Sequence, residues 1–331
     1  MNHEELKKLQ EIAIEQQRKL IRFKDERIRV LLEVYAEFLQ DIEKELSYLY
    51  TKTSLGSPED AWDWDEIRRG KDLEAILKQM EMNIDRMNGE VTGIITNSIK
   101  TVGVVDYAFA SYIAAAHIQG YIIVPPVIPE RAIKVLLEKD WGHGHFSDTL
   151  WGRTDNFKED LRKTLVNSMK RGESFRTTTT ALQERIGQEA WKSERLVRSE
   201  IITASNEAKK EYMTDFDKRS KELDMDLLKA MKVLETLDNV TCKKCRVMDG
   251  REFSVEEAKS IPATEHPNCR RTFVAVIRGF NNANRQRAAR SMSTGKTYRT
   301  DAKNFEEYAK EQGLDSAASY SKQYKKQESE E

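Results

Sequence analysis

The residues best suited to chemistry lie in one short stretch of the 331-residue chain, which contains all three of its cysteines. Cys242 and Cys245 form a Cys-x2-Cys pair, and His266 and Cys269 form a His-x2-Cys pair after a spacer of 20 residues. A Cys-x2-Cys turn places two thiolates about one tetrahedral edge apart, and a second paired turn can complete a four-coordinate zinc site. The spacing therefore predicts a structural zinc site made by these four side chains.

Two metal-free interpretations remain open. In the first, the cysteines are reduced structural thiols beside a histidine in a turn. In the second, Cys242 and Cys245 form a disulfide and Cys269 stays unpaired. The disulfide is disfavoured because the N-terminal sequence MNHEELKKLQ lacks the basic-then-apolar layout of a secretory signal. The clustering of every cysteine with a histidine favours the metal.

Local patterns predict the elements that position these ligands. Asp249-Gly250 predicts a hairpin turn, and Ser254 followed by Glu257 predicts a short helix that begins with a capping box. Strands are expected at residues 231–237, 251–253 and 272–277. Together they predict a small antiparallel sheet around the metal.

This stretch resembles the C-terminal hallmark of the phage head-morphogenesis family, the minor head proteins of the Mu F-like type. The pattern D-x-x-T-C-x-x-C-x-x-x-D-G, a helical spacer and H-P-N-C-R is carried by Asp238, Thr241, Cys242, Cys245, Asp249, Gly250, His266, Pro267, Asn268, Cys269 and Arg270. Family members commonly continue with a further cysteine, and this chain has Arg271 at that position. The resemblance covers residues 147–277.

The resemblance implies a structural minor capsid protein rather than an enzyme. Such a protein enters the procapsid, associates with the portal vertex, contacts double-stranded DNA non-specifically and leaves with the genome at ejection. The expected partners are portal protein, capsid or scaffolding protein and DNA, and the expected location is the virion interior, with the host cytoplasm during assembly. Two alternatives stay open: a metal-dependent nuclease or transferase, and a zinc-ribbon nucleic-acid-binding protein.

A polar helix face upstream of the ligands resembles a second feature of the family. The family's Arg-Thr-Glu helix and downstream asparagine correspond to Arg198, Ser199, Glu200 and Asn206, with Ser199 in place of the usual threonine. Arg198, Glu200 and Asn206 are expected to form a structural polar network. The other interpretation, a remnant catalytic site, lacks a complete set of base, nucleophile and oxyanion donor.

Composition favours a helix-rich protein, and with the cysteine-histidine stretch it predicts a mainly α-helical protein with a small zinc-stabilised α+β, ribbon-like unit near the C-terminus. Charged residues make up 34% and hydrophobic residues 39% of the chain, and the net charge of −1 gives no whole-protein field that attracts nucleic acid. Mean hydropathy is −0.70. The most apolar run, residues 102–124, is expected to be a buried or subunit-contacting helix. Stable membrane insertion is not expected, because Asp106 and His117 make a membrane span costly.

Three regions are expected along the chain. Residues 1–140 form a helical region that begins with a long amphipathic helix, whose apolar stripe either packs on its own domain or binds a partner such as the portal. The stripe consists of Ile28, Leu31, Tyr35, Phe38, Ile42, Leu46 and Leu49. Residues 141–280 form the Mu F-like domain, and residues 281–331 form a basic and then polar tail. Further helices are expected at residues 71–87, in the alanine-rich run up to residue 120, and at 130–139, 156–169, 174–186 and 304–312.

The basic part of the tail is either solvated or contacts phosphates. Between residues 281 and 300 there is no acidic residue, and the cations are Arg285, Arg287, Arg290, Lys296 and Arg299. Such cations can give salt-dependent affinity for DNA of any sequence. A second histidine pattern, His143-x-His145, lacks the carboxylates that would complete a metal site, so a glycine-containing turn is expected there.

Overall fold

The computed structural model describes residues 3–53, 57, 59–138, 145–279 and 286–313. Helices dominate, as composition predicted. The helices are α1 (His3–Lys52), α2 (Trp64–Arg69), α3 (Asp72–His117), α4 (Glu130–Glu138), α5 (Phe146–Trp151), α6 (Thr154–Lys170), α7 (Phe175–Glu222), α8 (Lys243–Met248), α9 (Val255–Lys259) and α10 (Phe305–Glu311). The strands are β1 (Leu228–Leu234), β2 (Glu252–Phe253), β3 (Thr272–Ile277), β4 (Arg287–Arg290) and β5 (Thr297–Thr300).

The chain separates into two compact units. The helical unit consists of Gln10–Val102 and Lys134–Ile201, and the sheet unit consists of Met1–Leu9, Gly103–Ile133 and Ile202–Glu331. Helices α3 and α7 each contribute residues to both units. The predicted domain boundaries at residues 140 and 280 stay predictions, because each falls in a segment outside the described residues.

The apolar stripe of α1 packs inside the helical unit. Every stripe position from Ile28 to Leu49 is buried. Phe38 packs against Phe157 with ring centroids 6.2 Å apart, and the Tyr35 hydroxyl lies 2.9 Å from Ser193 Oγ. The long amphipathic helix is confirmed, and its apolar face is covered by its own unit.

Helices α3 and α7 are longer than the local signals predicted. They run for 46 and 48 residues, beyond residues 87 and 186, where the predicted helices end. Gly89 and Gly93 lie inside α3, and a glycine in a helix costs only about 1 kcal/mol, which packing along the rest of a long helix can offset. Among the described residues, none of the helices combines the length and apolarity that a membrane crossing requires.

Three strands of the sheet unit form an antiparallel sheet in the order β2-β1-β3. In the central strand, Met231 pairs with Phe253 of β2 and Ala275 of β3. The predicted sheet is confirmed, although β1 begins three residues before the predicted strand. The predicted hairpin turn at Asp249-Gly250 is wrong, because the residues before it form helix α8, and the turn joins that helix to β2.

Residues 286–313 are folded instead of forming a polar tail. Strands β4 and β5 pair antiparallel, with Arg290 opposite Thr297. Helix α10 begins as predicted at Asn304, whose side chain accepts the Glu307 N–H. A small buried cluster joins this segment to the rest of the sheet unit through Leu237, Ala289, Ala302, Phe305 and Tyr308. These apolar residues are too widely spaced to give a periodic sequence signal.

Candidate metal centre

The first pair of candidate ligands lies at the start of α8. Cys242 is the N-cap residue. Its Sγ accepts a hydrogen bond from the backbone N–H of Cys245, with 3.5 Å between sulfur and nitrogen. This N–H···S contact places both sulfurs on the same side of the turn. The Cys-x2-Cys segment therefore has the local geometry of a metal knuckle.

The second pair lies in a tight turn before β3. The Cys269 N–H donates to the His266 carbonyl over 3.0 Å, and Asn268 has a positive φ of 65°. Asparagine tolerates this left-handed conformation better than most residues, which explains its place in the turn. His266 Nδ1 lies 2.8 Å from the Pro267 carbonyl. A proton on Nδ1 satisfies that carbonyl and leaves Nε2 with the lone pair that a metal requires.

Two ligand separations, both from Cys245, match the edges of a zinc tetrahedron. Cys245 Sγ lies 3.5 Å from His266 Nε2 and 3.8 Å from Cys269 Sγ. Sulfur and nitrogen ligands about 2.0–2.3 Å from zinc lie roughly 3.3–3.8 Å apart. The three cysteines are free thiols, so the predicted alternative of a Cys242–Cys245 disulfide is wrong for this structure.

Two overlapping groups of potential ligands occur in the described residues. One group is Cys242, Cys245 and His266, and the other is Glu235, Cys245 and Cys269, each with ligand atoms within 4.8 Å of one another. Cys245 belongs to both groups. The four predicted ligands therefore divide between two groups that share Cys245: Cys242 and His266 belong to one, and Cys269 belongs with Glu235 to the other.

Cys269 is in surroundings that favour a thiolate. The S–H of Cys245 donates to it, and this contact lowers the pKa of Cys269 and raises the pKa of Cys245. Burial opposes the shift at Cys269, but backbone N–H groups of Glu265 and Arg271 donate to the same sulfur. The sulfur is thus prepared for the deprotonated state in which cysteine binds a metal.

Asp238 fixes the loop that carries the first ligand. Its Oδ1 accepts the N–H groups of Val240 and Thr241, at 3.1 and 3.0 Å. Its carboxylate also pairs with Arg270, the residue after Cys269. The aspartate, threonine and arginine of the sequence motif therefore hold the two ligand turns together.

A buried ion pair that sequence reasoning missed supports the centre. Arg271 is fully buried, and its Nε donates to Glu235 Oε1 over 2.6 Å. Its Nη1 donates to the Pro262 carbonyl over 3.0 Å. Burial raises the pKa of Glu235 to about 7, partly offset by Arg271. One sequence signal could have revealed Glu235, because it occupies the inward position between the buried Val233 and Leu237.

Arg287 has a structural role that differs from the predicted DNA contact. Its guanidinium donates to both carboxylate oxygens of Asp249, each over 2.9 Å, and to the Glu235 carbonyl over 2.7 Å. Only 14% of its side chain is exposed. Arg287 therefore joins the β4–β5 hairpin to the turn after α8. Of the other predicted cations, Arg290, Lys296 and Arg299 are exposed, and Arg285 lies outside the described residues.

Arg198, Glu200 and Asn206 are not joined by a hydrogen bond or ion pair among the described contacts. Arg198 pairs with Glu194, while Asn206 Nδ2 donates to the carbonyls of Ala263 and Arg271, over 2.9 and 2.8 Å. Residues two apart on a helix point about 200° away from each other, so Arg198 and Glu200 face different surroundings. Asn206 therefore ties α7 to the chain on either side of the second ligand turn.

Glu200 is buried, and its Oε2 has no hydrogen-bond partner among the described residues. Burial raises the pKa of this carboxyl to about 7. Because the folded pKa exceeds the unfolded value, stability is full at low pH and falls as pH rises towards 7. At about 1.4 kcal/mol per pKa unit, the loss is on the order of 3 kcal/mol.

We expect Glu200→Gln to remove this loss. The variant should match the parent near pH 4 and exceed it at pH 8 in the free energy of unfolding, measured by urea denaturation across that range. Glu184→Gln, which changes an exposed glutamate on the same helix, is the matched control and should leave the pH profile unchanged. Equal pH profiles for parent and Glu200→Gln would contradict the assignment.

His145 acts as a helix cap and not as part of a described metal cluster. Its Nδ1 accepts the Ser147 N–H over 3.2 Å at the start of α5, and its Nε2 lies 2.6 Å from the Leu137 carbonyl. His143 lies outside the described residues. Both ring nitrogens of His145 are therefore engaged locally.

Comparison with known proteins gives one family. Residues 159–274 match the family model described as phage Mu protein F like protein. Neither a curated protein nor a solved structure matches the chain significantly. The matched segment contains α7, β1, β2, the first three residues of β3 and all four candidate ligands. Residues 159–274 therefore resemble a phage Mu F-like domain, and this match supports the resemblance of the chain to the phage head morphogenesis family.

Proposed function

We propose that the protein is a minor capsid component that enters the procapsid at the portal vertex. The observation that carries this proposal is the family match over the segment whose two ligand turns lie together in the structure. The matched family is one of structural head proteins, which supports a structural role over a catalytic one. Portal, capsid and scaffolding proteins are the proposed partners, and the virion interior is the proposed location.

The metal has a structural role in this proposal. Cys242, Cys245, His266 and Cys269 would hold a zinc ion, which supplies a four-fold cross-link between the loop before α8 and the turn before β3. Four protein ligands fill a tetrahedral zinc, so no coordination position remains for a substrate. The proposed zinc therefore stabilises the sheet unit and performs no reaction.

Protein composition of purified heads tests the proposal. Mass spectrometry of heads from an infection should detect the chain, and heads assembled without portal should contain much less of it. Exclusion of the chain from heads, together with metal-dependent cleavage of plasmid DNA by the purified protein, would favour the nuclease alternative and contradict a structural role.

DNA contact is proposed for one face of the β4–β5 hairpin. Arg290 lies opposite Thr297, and Arg299 lies opposite Ala288. Because alternate residues of a strand share a face, Arg290 and Arg299 lie on the side opposite the buried Ala289. Lys296 lies in the adjoining turn and is also exposed. Three exposed cations on a folded hairpin can contact phosphates without losing structural ion pairs, which Arg287 cannot do.

We expect replacement of Arg290, Lys296 and Arg299 by alanine to weaken the salt dependence of binding to random duplex DNA. The slope of log affinity against log salt should fall by about 2–3 units, at ~0.9 per lost contact. The control replaces Lys243, Lys244 and Arg251, which are exposed in the same unit and carry the same total charge. Equal slopes for the two triple variants would exclude the hairpin as the DNA-contacting element.

A further inference from the structure

The part of α3 that lies in the sheet unit, with the segment that follows it, is almost free of charge. Between residues 101 and 129 the only Asp, Glu, Lys or Arg is Asp106, which is buried. In the chain as a whole, charged residues make up 34%. Its composition is therefore typical of a helix that is covered on all sides.

One side of this helix is covered within the sheet unit. The Tyr107 ring packs edge-on against Tyr212 with centroids 5.2 Å apart, and its hydroxyl donates to Asp215 over 2.7 Å. The Ser111 hydroxyl donates to the Val124 carbonyl over 3.0 Å. These contacts occupy the inner side of α3 and fix the segment that follows it.

The other side of the helix is exposed and equally apolar. Val105 and Tyr112 are 46% and 48% exposed, and Phe109, at the intervening helical step, stacks on Tyr112 with centroids 6.4 Å apart. In the segment that follows α3, apolar residues are more exposed still: Tyr121 is 71% exposed and Val127 is 73% exposed. The exposed residues of this apolar outer surface are Val104, Val105, Tyr112, Tyr121, Ile122 and Val127.

The apolar outer surface has the exposure of a protein interface. Its six side chains are each 46–73% exposed, whereas exposed apolar residues on a monomer are normally scattered singly. A stable complex buries ~800 Å² on each partner. Two exposed tyrosines add the residue type that most often anchors interfaces. The surface therefore needs a partner of comparable apolar area.

We propose that the apolar outer surface binds the same surface of a second copy of this chain. A twofold contact brings identical patches together, and the six exposed side chains of the surface carry no charge, so they meet their own copies without like-charge repulsion. A partner with ordinary charged surface would have to desolvate its charges without compensation. The contact is independent of the zinc centre and of the head role.

Sedimentation velocity of the full chain over a wide concentration range tests this contact. The parent should sediment as a dimer at about 10 μM, the concentration range of moderate interfaces. Val105→Glu combined with Tyr112→Glu should shift it to a monomer, with association weakened at least 100-fold. Circular dichroism and melting temperature should stay unchanged, because both positions are exposed in the monomer.

The matched control is Tyr48→Glu. Tyr48 is 50% exposed in the helical unit, outside the apolar outer surface, and the variant should remain a dimer. A second variant, Val127→Asp, tests the segment after α3 without altering the helix. A parent that is monomeric at every concentration, or that binds lipid vesicles instead of itself, would overturn the proposal. So would surface variants that associate as tightly as the parent.

Discussion

Replacement of Cys245 by serine is expected to release the metal and unfold the sheet unit. Cys245 belongs to both groups of potential ligands, so no set of the described residues completes the site without it. Zinc-binding free energy is folding free energy in small metal units, about 10–16 kcal/mol in zinc-finger peptides. Elemental analysis should give about one zinc per parent chain and close to none in the variant, and thermal melting should show an early transition.

The matched control for this prediction is Val247→Ser. It changes an exposed residue on the same short helix without removing a ligand, so zinc content and melting should stay at parental values. Glu235→Gln then distinguishes the ligand sets, because zinc retained in that variant assigns the site to the predicted cysteines and histidine. A parent that contains no metal and melts at the same temperature with and without a chelator would contradict the zinc site.

Replacement of Arg271 by methionine is expected to destabilise the sheet unit by about 3–5 kcal/mol, the range observed when one partner of a buried ion pair is removed. The variant leaves the Glu235 carboxylate and the Pro262 carbonyl without their buried donor. Urea unfolding of the metal-loaded protein measures the loss. Zinc content should stay near one per chain, which separates this effect from loss of a ligand.

A double variant tests whether the pair itself is responsible. Combining Arg271→Met with Glu235→Leu replaces both charges by apolar groups and should recover much of the lost stability. Arg278→Met is the control, because Arg278 forms an exposed pair with Asp226 at 3.0 Å, and its loss should cost at most about 1 kcal/mol. A double variant as unstable as Arg271→Met alone would show that the arginine stabilises the unit through its other contacts.

Patterns that act within a few residues predicted much of the fold. The α1 stripe, the Ser254–Glu257 capping box, strand β3 and the start of α10 occur where the sequence indicated them. The limits of α3 and α7 were not predictable in the same way. The helices predicted at residues 71–87 and 174–186 are too short, because a long helix held by packing along its length tolerates the small cost of an internal glycine.

Sequence alone determined the types and spacing of the candidate ligands and the resemblance to the family, because the two ligand turns are local and each is built from adjacent residues. Only the tertiary structure decided which charged side chains are structural. Glu235 and Arg271 are 36 residues apart and Asp249 and Arg287 are 38 apart, and they meet because the sheet and the hairpin bring them together. A basic residue in the sequence therefore has no assigned role until folding shows whether a carboxylate lies within reach. Arg287 and Arg290 differ in this way: Arg287 joins the hairpin to the turn after α8, and Arg290 remains exposed.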